Sequence, residues 1–382
     1  MKYDHHLIAD LRAQDFTWHE VAGRLGENAK ALRQAHSRWR ARNETEQQNH
    51  NGLPVVQKWI RTEEGTIHVK VPQGFDDFEE IERIWEEARD DFVTWQPTQL
   101  PFPPVEYQGP AQADPVLAVV SMNDAHLGMR SWEAETRQES QDLDTLAGDY
   151  SYVSGQIYHM SQIYPVERYL LVVGSDLLHA DSYQGKVPTT TKGTPQDVDG
   201  RLSKVFKRAR RLLVEQIDLF RRQEVPVDVV FVRGNHDEKS VGMLGIVIDS
   251  WYRQDDKVNV IVPDGTRHYY GYGKNALMLH HGHDAKKKDA PLVFATECPT
   301  QMWGDSVDGA REILSGHFHA RETSAHGSVY ETRAIISRTL PALCSTDAWH
   351  ANGGGAYLHR RASTLLVYRQ SGGMMALHEV TP

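Results

Sequence analysis

Residues 226–238, PVDVVFVRGNHDE, join an apolar run to an abruptly polar end. The run is rich in valine and short, which favours a buried strand. Gly234 and the polar residues Asn235, His236 and Asp237 follow it at once. Ligand sites in layered α/β proteins gather at strand ends, so this stretch predicts both a strand of such a fold and part of a functional site.

Four other segments repeat the pattern of an apolar strand that ends in potential metal ligands. One strand end is weak evidence, because histidine is a common polar side chain as well as a common ligand. Five in one region are hard to obtain by chance, and a metal centre satisfies together buried polar groups that would otherwise each need a hydrogen-bond partner. The four segments are VLAVVSM before Asp124 and His126, VERYLLVVGSD ending in Asp176, NALMLHHGHD with His280, His281 and His283, and REILSGHFHA with His317 and His319.

Helical patterns separate these strands. RLSKVFKRARRLLVEQIDLF, residues 201–220, places its apolar residues at helical spacing. Apolar strands alternating with helices predict an α/β layered domain. We expect three parts: residues 1–42, a small all-α unit; residues 43–115, a linker and connector; and residues 116–382, the domain that carries the candidate ligands.

Five short motifs follow one another along the chain, and both their composition and their order are informative. They are D-A-H at 124–126, G-S-D at 174–176, G-N-H-D at 234–237, H-G-H at 281–283 and G-H-F-H at 316–319. Together they resemble the calcineurin-like metallophosphoesterase superfamily, and within it the core of the SbcD-type repair nucleases. The resemblance covers about residues 116–370 and implies a layered β-sandwich flanked by helices. Ser175 is a departure, since the family usually shows glycine directly before this aspartate.

The resemblance implies a centre of two divalent ions. It assigns Asp124, His126 and His319 to one ion, Asn235, His281 and His317 to the other, and Asp176 as the bridge. His281 is preferred to its neighbours because it directly precedes a glycine, and because alternation along a strand puts His280 on the opposite side. Mixed imidazole and carboxylate ligands suit manganese, with iron, zinc and nickel as alternatives. Calcium prefers an all-oxygen site.

Two such ions, about 3.5–4 Å apart, would activate a bridging water for in-line attack on phosphorus. His236 would stabilise the transition state or protonate the leaving oxygen, and Asp237 could orient His236 through its other ring nitrogen. His179 has a counterpart that approaches the phosphate in the SbcD-type nucleases. The alternative for His179 is a solvent-facing residue at the start of a helix.

The substrate is set by loops rather than by the metal core. Residues 181–200 are long, polar and rich in Gly, Pro and Thr, so we expect a substrate loop there. Lys286, Lys287 and Lys288, with His283, are candidates for contacts to substrate phosphates. The alternative is a solvated run of charge.

The N-terminal unit predicts three short helices. Thr17 and Glu20 match a capping box, Gly26 ends the second helix, and residues 27–42 form the third. This arrangement resembles a helix-turn-helix. Its basic third helix is a candidate to contact DNA phosphates, with a small helical cap or oligomerisation module as the alternative. The candidate contacts are Lys30, Arg33, Arg38 and Arg40.

Residues 53–95 predict a strand pair and then an acidic helix of no evident function, and the proline-rich stretch after them predicts a domain boundary.

The net charge of −10 argues against a protein that coats nucleic acid with a globally basic surface. With only Cys298 and Cys344, no signal-peptide pattern and no apolar run long enough to span a bilayer, we expect a cytoplasmic location and no membrane partner. A homodimer is a further expectation.

The function expected from these features is a metal-dependent DNA nuclease, with DNA as its partner. SbcD-type nucleases usually carry a DNA-capping domain and pair with an ATPase, but this chain ends soon after the last core strand, so an ATPase partner is not expected. The appended N-terminal unit suggests a phage or mobile-element origin. Two alternatives stay open: a phosphodiesterase or phosphatase for a small or cyclic nucleotide, and a DNA-binding or assembly protein with a structural metal centre.

Overall fold

The structure is a computed structural model, and it divides the chain into two units, Met1–Glu86 and Glu87–Pro382. The division falls inside the segment 43–115, where a connector is expected. The structure describes residues 113–184, 187–285, 287–319, 328–352 and 359–382, together with residues 18–26, 55–62, 65–72 and 94–97 and the single or short stretches 8, 30–32, 36, 107 and 109.

The first unit contains a helix and a hairpin among its described residues. Helix α1, Trp18–Leu25, buries Val21 and Ala22 against Ile8 and Leu32. Strands β1, Val55–Thr62, and β2, Gly65–Pro72, pair antiparallel where the sequence predicts a strand pair. Lys30 is exposed. The candidate DNA contacts Arg33, Arg38 and Arg40 lie outside the described residues, as do most of the third helix and all of the acidic helix.

A six-stranded mixed sheet forms the first layer of the second unit. Its order is β15-β14-β3-β4-β7-β8, in which β3, β4, β7 and β8 run parallel and β14 and β15 run antiparallel at one edge. The strands are β3 Val116–Ser121, β4 Val166–Gly174, β7 Val227–Val232, β8 Val258–Ile261, β14 Ser363–Arg369 and β15 Met374–Val380.

A five-stranded mixed sheet packs against it. Its order is β12-β13-β11-β10-β9, with β10, β11 and β13 parallel. The strands are β9 Arg267–Tyr272, β10 Asn275–His280, β11 Ala310–Ser315, β12 Val329–Thr332 and β13 Ile335–Thr339. A short hairpin, β5 Ser182–Gln184 with β6 Val187–Thr189, lies in the predicted substrate loop.

Helices cover the outer faces of both sheets. On β3, Val116, Ala118 and Val120 face the helices while Leu117 and Val119 face the second sheet, which is the two-residue alternation of a strand buried on both sides. The predicted α/β fold with two layered sheets flanked by helices is confirmed. The helices are α2 Glu133–Thr136, α3 Leu143–Ser161, α4 Leu202–Arg221, α5 Glu238–Tyr252, α6 Ala290–Glu297, α7 Thr300–Asp305 and α8 Ala348–Asn352.

Among the described residues, no helix combines the length and apolar character needed to cross a bilayer.

Candidate metal centre

The loops at the carboxyl ends of five strands meet at one edge of the sandwich. Strands β3, β4 and β7 of the first sheet and β10 and β11 of the second deliver them, and parallel strands necessarily end at the same edge. Four overlapping groups of potential ligands form where these loops meet, and one of them joins His126 with His179 and His236. From the candidate ligands we define the first donor set, of Asp124, His126 and His319, and the second donor set, of Asn235, His281 and His317, with Asp176 between them.

The first donor set is deeply buried. His126 Nε2 lies 3.2 Å from His319 Nε2, and Asp124 Oδ1 lies 3.4 Å from His319 Nε2 and 4.0 Å from His126 Nε2. Donors bound at roughly 2.0–2.2 Å to one ion lie roughly 3–4 Å from one another. The three atoms are therefore spaced as ligands of a single ion.

The second donor set is centred on His281, which is fully buried. His281 Nε2 lies 2.9 Å from Asn235 Oδ1, 3.0 Å from His317 Nδ1 and 3.0 Å from Asp176 Oδ2. Asn235 contributes a neutral oxygen, so this set carries little charge of its own. His281 Nε2 therefore lies from each of the other three atoms at a distance that fits two ligands of one ion.

Asp176 belongs to both groups. Its carboxylate lies within 4.8 Å of donor atoms of Asp124 and His126 and, equally, of His281 and His317. The backbone N–H of His236 donates to Asp176 Oδ1 at 2.7 Å, which fixes the carboxylate. A carboxylate with one oxygen toward each set can bind both ions. The residues therefore fit a dinuclear centre.

The charges of the cluster suit cation binding. Burial lowers the pKa of His126 well below its usual value and that of His317 to about 3, so both are neutral, as ligands must be. Burial alone would lower the pKa of His281, but Asp176 outweighs it and raises this pKa to about 9. Burial would likewise raise the pKa of Asp176, yet His281 and His236 hold it well below its usual value. The carboxylate that raises the pKa of His281 would attract a cation equally, and a cation bound by His281 would displace the proton from its ring.

Unusual backbone geometry brings the donors together. Asp124, His126, Asp176, His317 and His319 all have positive φ angles, between 46° and 71°, a region that non-glycine residues rarely adopt. Such strain persists only where surrounding structure enforces it, and it concentrates at functional sites.

Two glycines permit the close approach of the loops. A methyl group at Gly234 would collide with the Asp176 carboxylate, and one at Gly316 would collide with Asp124 Oδ2 and approach Ser175 Oγ to 2.9 Å. These glycines of the G-N-H-D and G-H-F-H motifs are required because neighbouring ligands occupy the space of a side chain.

We expect Gly316→Ala to lower the affinity of the first donor set for a divalent ion by roughly 10- to 100-fold, the range seen when residues that orient ligands are changed. The new methyl group would displace the Asp124 carboxylate. The measurement is calorimetric titration of metal-depleted protein with Mn²⁺ or Zn²⁺. Gly148→Ala is the matched control, since Gly148 lies in helix α3 with open space around its Cα. Unchanged affinity in Gly316→Ala would contradict this account of the loop.

His236 lies beside the first donor set. Its ring centroid is 4.7 Å from that of His126, and the ring is half-buried. Its Nδ1–H donates to the carbonyl of His179 at 2.9 Å, which fixes the tautomer and leaves Nε2 for chemistry. In the neutral ring Nε2 therefore carries a lone pair, and only the doubly protonated ring would have a proton to donate from Nε2.

Asp237 does not orient His236, contrary to the sequence expectation. Its carboxylate accepts hydrogen bonds from the backbone N–H groups of Gly234 and Leu178, both at 3.1 Å. Burial and then the charge of Asp176 raise its pKa well above the usual value. Asp237 faces inward at the start of helix α5 and ties two ligand loops together, so the carbonyl of His179 is left to orient His236.

His179 is buried, so the solvent-facing alternative is wrong. Its Nδ1 lies 3.0 Å from His126 Nδ1, and its ring stacks on His236 at 5.3 Å. His179 thus supports both a candidate ligand and the candidate acid. Burial lowers its pKa to about 3.

The candidate phosphate contacts are dispersed. His283 is half-buried and lies beside the second donor set, 5.3 Å from the ring of His281. Lys287 Nζ instead lies over the ring of Phe318 at 4.8 Å, where burial lowers its pKa. Lys288 is exposed, and Lys286 lies outside the described residues. His280 is turned away from the donors and contacts Asp284 at 3.1 Å.

Three residues at the centre were not assigned from the sequence. Ser175 Oγ lies 2.9 Å from His281 Nδ1, so the residue that departs from the family pattern orients a candidate ligand. Asp181 accepts from the backbone N–H and hydroxyl of Ser240, both at 2.8 Å, and fixes the start of helix α5. Cys344 lies beside the first donor set. Only the position of Ser175 within its motif gave any sequence signal.

Comparisons with known proteins give one weak structural similarity and no family assignment. No protein-family model matches the chain, and no curated protein matches it. Among solved structures, a purple acid phosphatase isolated from yellow lupin (Lupinus luteus) seeds is similar at 10% sequence identity and a TM-score of 0.32, over 73% of this chain and 55% of that one. The chain therefore spans about half the length of that phosphatase. A similarity of this size assigns neither family nor activity.

Proposed function

We propose that this protein is a dinuclear metal-dependent phosphoesterase and, more specifically, a phosphodiesterase that cleaves DNA. The observation that carries the proposal is the position of Asp176, whose carboxylate belongs to both donor groups. A structural metal site closes on one ion. Two adjacent sets that share a carboxylate would hold two ions next to each other, which is the arrangement that two-metal phosphoryl transfer uses.

The chain supplies the remaining groups for such a reaction. When bound, two divalent ions would neutralise the phosphate and lower the pKa of a water between them. His236 has its Nδ1–H held by the carbonyl of His179. In its doubly protonated form it would carry a second proton on Nε2, and it would give that proton to the leaving oxygen and return to the neutral form. Ser175 Oγ contacts the ring of His281, and His179 contacts the ring of His126.

DNA as substrate is supported by exposed basic side chains of the loop after His126, of the 181–200 loop and of the start of helix α4. Arg130, Lys192, Arg201 and Lys204, which we call the basic rim, are all exposed. Arg130 follows the His126 loop and its N–H bonds to Asp197 in the 181–200 loop; Lys192 lies near enough to His283 to act on its charge. Cations beside a metal centre can hold the phosphates that flank a scissile diester.

We expect Lys192→Ala combined with Arg201→Ala and Lys204→Ala to raise KM for DNA about tenfold at moderate salt and to flatten the salt dependence of binding, since each phosphate contact adds about one unit of slope. Turnover of bis-p-nitrophenyl phosphate, which has no flanking phosphates, should not change. The measurement is KM and kcat on both substrates from 50 to 200 mM salt, roughly the range over which such contacts are screened. An unchanged salt slope would remove the basic rim from the substrate site.

The test of the function itself uses metal-depleted protein reloaded with Mn²⁺ or Zn²⁺. Plasmid DNA, short single strands and bis-p-nitrophenyl phosphate are offered with and without chelator. Chelator-sensitive DNA cleavage is the expected result. Cleavage of the generic diester with intact DNA would keep the phosphoesterase and reject the nuclease, pointing to a small nucleotide. No hydrolysis by protein shown to hold two ions would reject both.

A further inference from the structure

The segment Leu340–Asp347, between β13 and α8, is fixed against the first donor set by backbone hydrogen bonds. The N–H of Leu343 donates to Asn123 O and that of Cys344 to Asp124 O, both at 3.1 Å. His359 Nε2 donates to the carbonyl of Cys344 at 2.9 Å. Cys344 therefore has a defined position alongside a candidate metal ligand.

The thiol of Cys344 lies with the first donor set. Cys344 Sγ, one ring nitrogen of His126 and one of His319 lie within 4.8 Å of one another, and the cysteine is fully buried. A thiolate and an imidazole on opposite sides of one ion are about 4.4 Å apart, given bonds of about 2.3 and 2.1 Å. The limit of 4.8 Å is slightly larger than this span, so the group is close to the size of a shared site and would have to contract by at most a few tenths of an ångström at this limit to bind one ion on opposite sides.

The histidines that accompany Cys344 are buried as well. His126 and His319 are 2% and 6% exposed, and both already belong to the first donor set. Their Nε2 atoms lie 3.2 Å apart, and each lies within 4.0 Å of Asp124 Oδ1. Cys344 is thus one member of a group of buried donors rather than an isolated thiol.

We infer that Cys344 is a ligand of the ion held by the first donor set. The donors at this ion then comprise two imidazoles, carboxylate oxygen and sulfur, and the thiol loses its proton to solvent as the ion binds. Sulfur favours zinc or ferrous iron over manganese and magnesium. The first position would therefore select a softer ion than the second, whose ligands are nitrogen and oxygen. The inference rests on the dinuclear centre proposed above.

Cobalt titration tests this inference without an activity assay. Metal-depleted protein is titrated with Co²⁺ while the near-ultraviolet thiolate-to-cobalt charge-transfer band is recorded. The band should develop with the first bound equivalent, be absent in Cys344→Ser and Cys344→Ala, and persist in Cys298→Ser. Cys298 is the matched control because it is the other buried free cysteine and packs with Phe294 on the far face of the second sheet.

Competition between Zn²⁺ and Mn²⁺ gives a second readout. The preference of the first position for zinc should fall by about tenfold or more in Cys344→Ser, which is the scale of losing a group that tunes a metal site. Two bound cobalt ions without the band in the unmodified protein, or a band that survives in Cys344→Ala, would overturn the role of Cys344 and leave the dinuclear centre intact. Failure to bind any divalent ion would overturn both.

Discussion

Asp176→Asn should abolish hydrolysis and reduce the metal content from two ions to one or none. Asparagine keeps the size of the side chain but loses the negative charge, and only one of its terminal atoms remains an acceptor. Because bound ions contribute several kcal/mol to phosphoryl transfer, we expect kcat/KM to fall roughly 10³-fold or more, at about 1.4 kcal/mol per factor of ten.

The measurements for Asp176→Asn are metal analysis after gel filtration and diester hydrolysis. Asp264→Asn, at an exposed loop position, is the control for removing a carboxylate elsewhere. Circular dichroism checks that the fold is kept. If Asp176→Asn retained two ions and full turnover, Asp176 would not be shared between the donor sets, and the proposed function would lose the observation that carries it.

His236→Ala should have the opposite signature, with both ions retained and the chemistry lost. His236 makes its ring hydrogen bond to a carbonyl, and its ring lies 4.7 Å from that of His126. It belongs to neither donor set as defined above, although its ring nitrogen lies within 4.8 Å of donor atoms of His126 and His179. Loss of a general acid costs typically 10²- to 10⁴-fold in kcat. The size of the loss should depend on the leaving group, because p-nitrophenolate departs without a proton and a sugar alkoxide does not.

We therefore expect His236→Ala to impair DNA cleavage far more than bis-p-nitrophenyl phosphate hydrolysis. The measurement is kcat on both substrates with metal content determined in parallel. His159→Ala, at an exposed position on helix α3, is the control for a histidine distant from the donors. Equal losses on the two substrates would indicate that His236 stabilises charge on phosphorus instead of protonating the leaving group. Loss of the ions would make it structural.

The sequence predicted the fold class and identified most of the residues that lie at the candidate metal centre. Each apolar strand with its polar end could be seen locally, and parallel strands must deliver their ends to one edge of a sheet. Alternation along β10 separates His280, which contacts Asp284, from His281, which lies among the donors. The apolar strands, their polar ends and the alternation of side chains depend only on residues adjacent in the chain. They can therefore be predicted from a single sequence.

Roles that depend on hydrogen-bond partners were less predictable. Asp237 follows His236 directly, so an interaction between them was a natural expectation, yet its carboxylate binds the backbone of Gly234 and Leu178. His179 could have faced either solvent or substrate, and it contacts His126 instead. The direction of a side chain at the start of a helix depends on how the next loop packs, which no spacing rule describes.

By itself, the sequence determined the strands, their polar ends and the types of donor, because apolar periodicity and adjacent ligands are properties of short segments. Only the tertiary structure decided that Asp176 lies between two donor sets, that Ser175 holds His281, and that Cys344 reaches His126 and His319. Cys344 belongs to no motif and is far from Asp124 in the chain, yet its backbone N–H donates to the carbonyl of Asp124 in the folded structure. Contacts of that kind arise from packing, which leaves no local pattern in a single sequence.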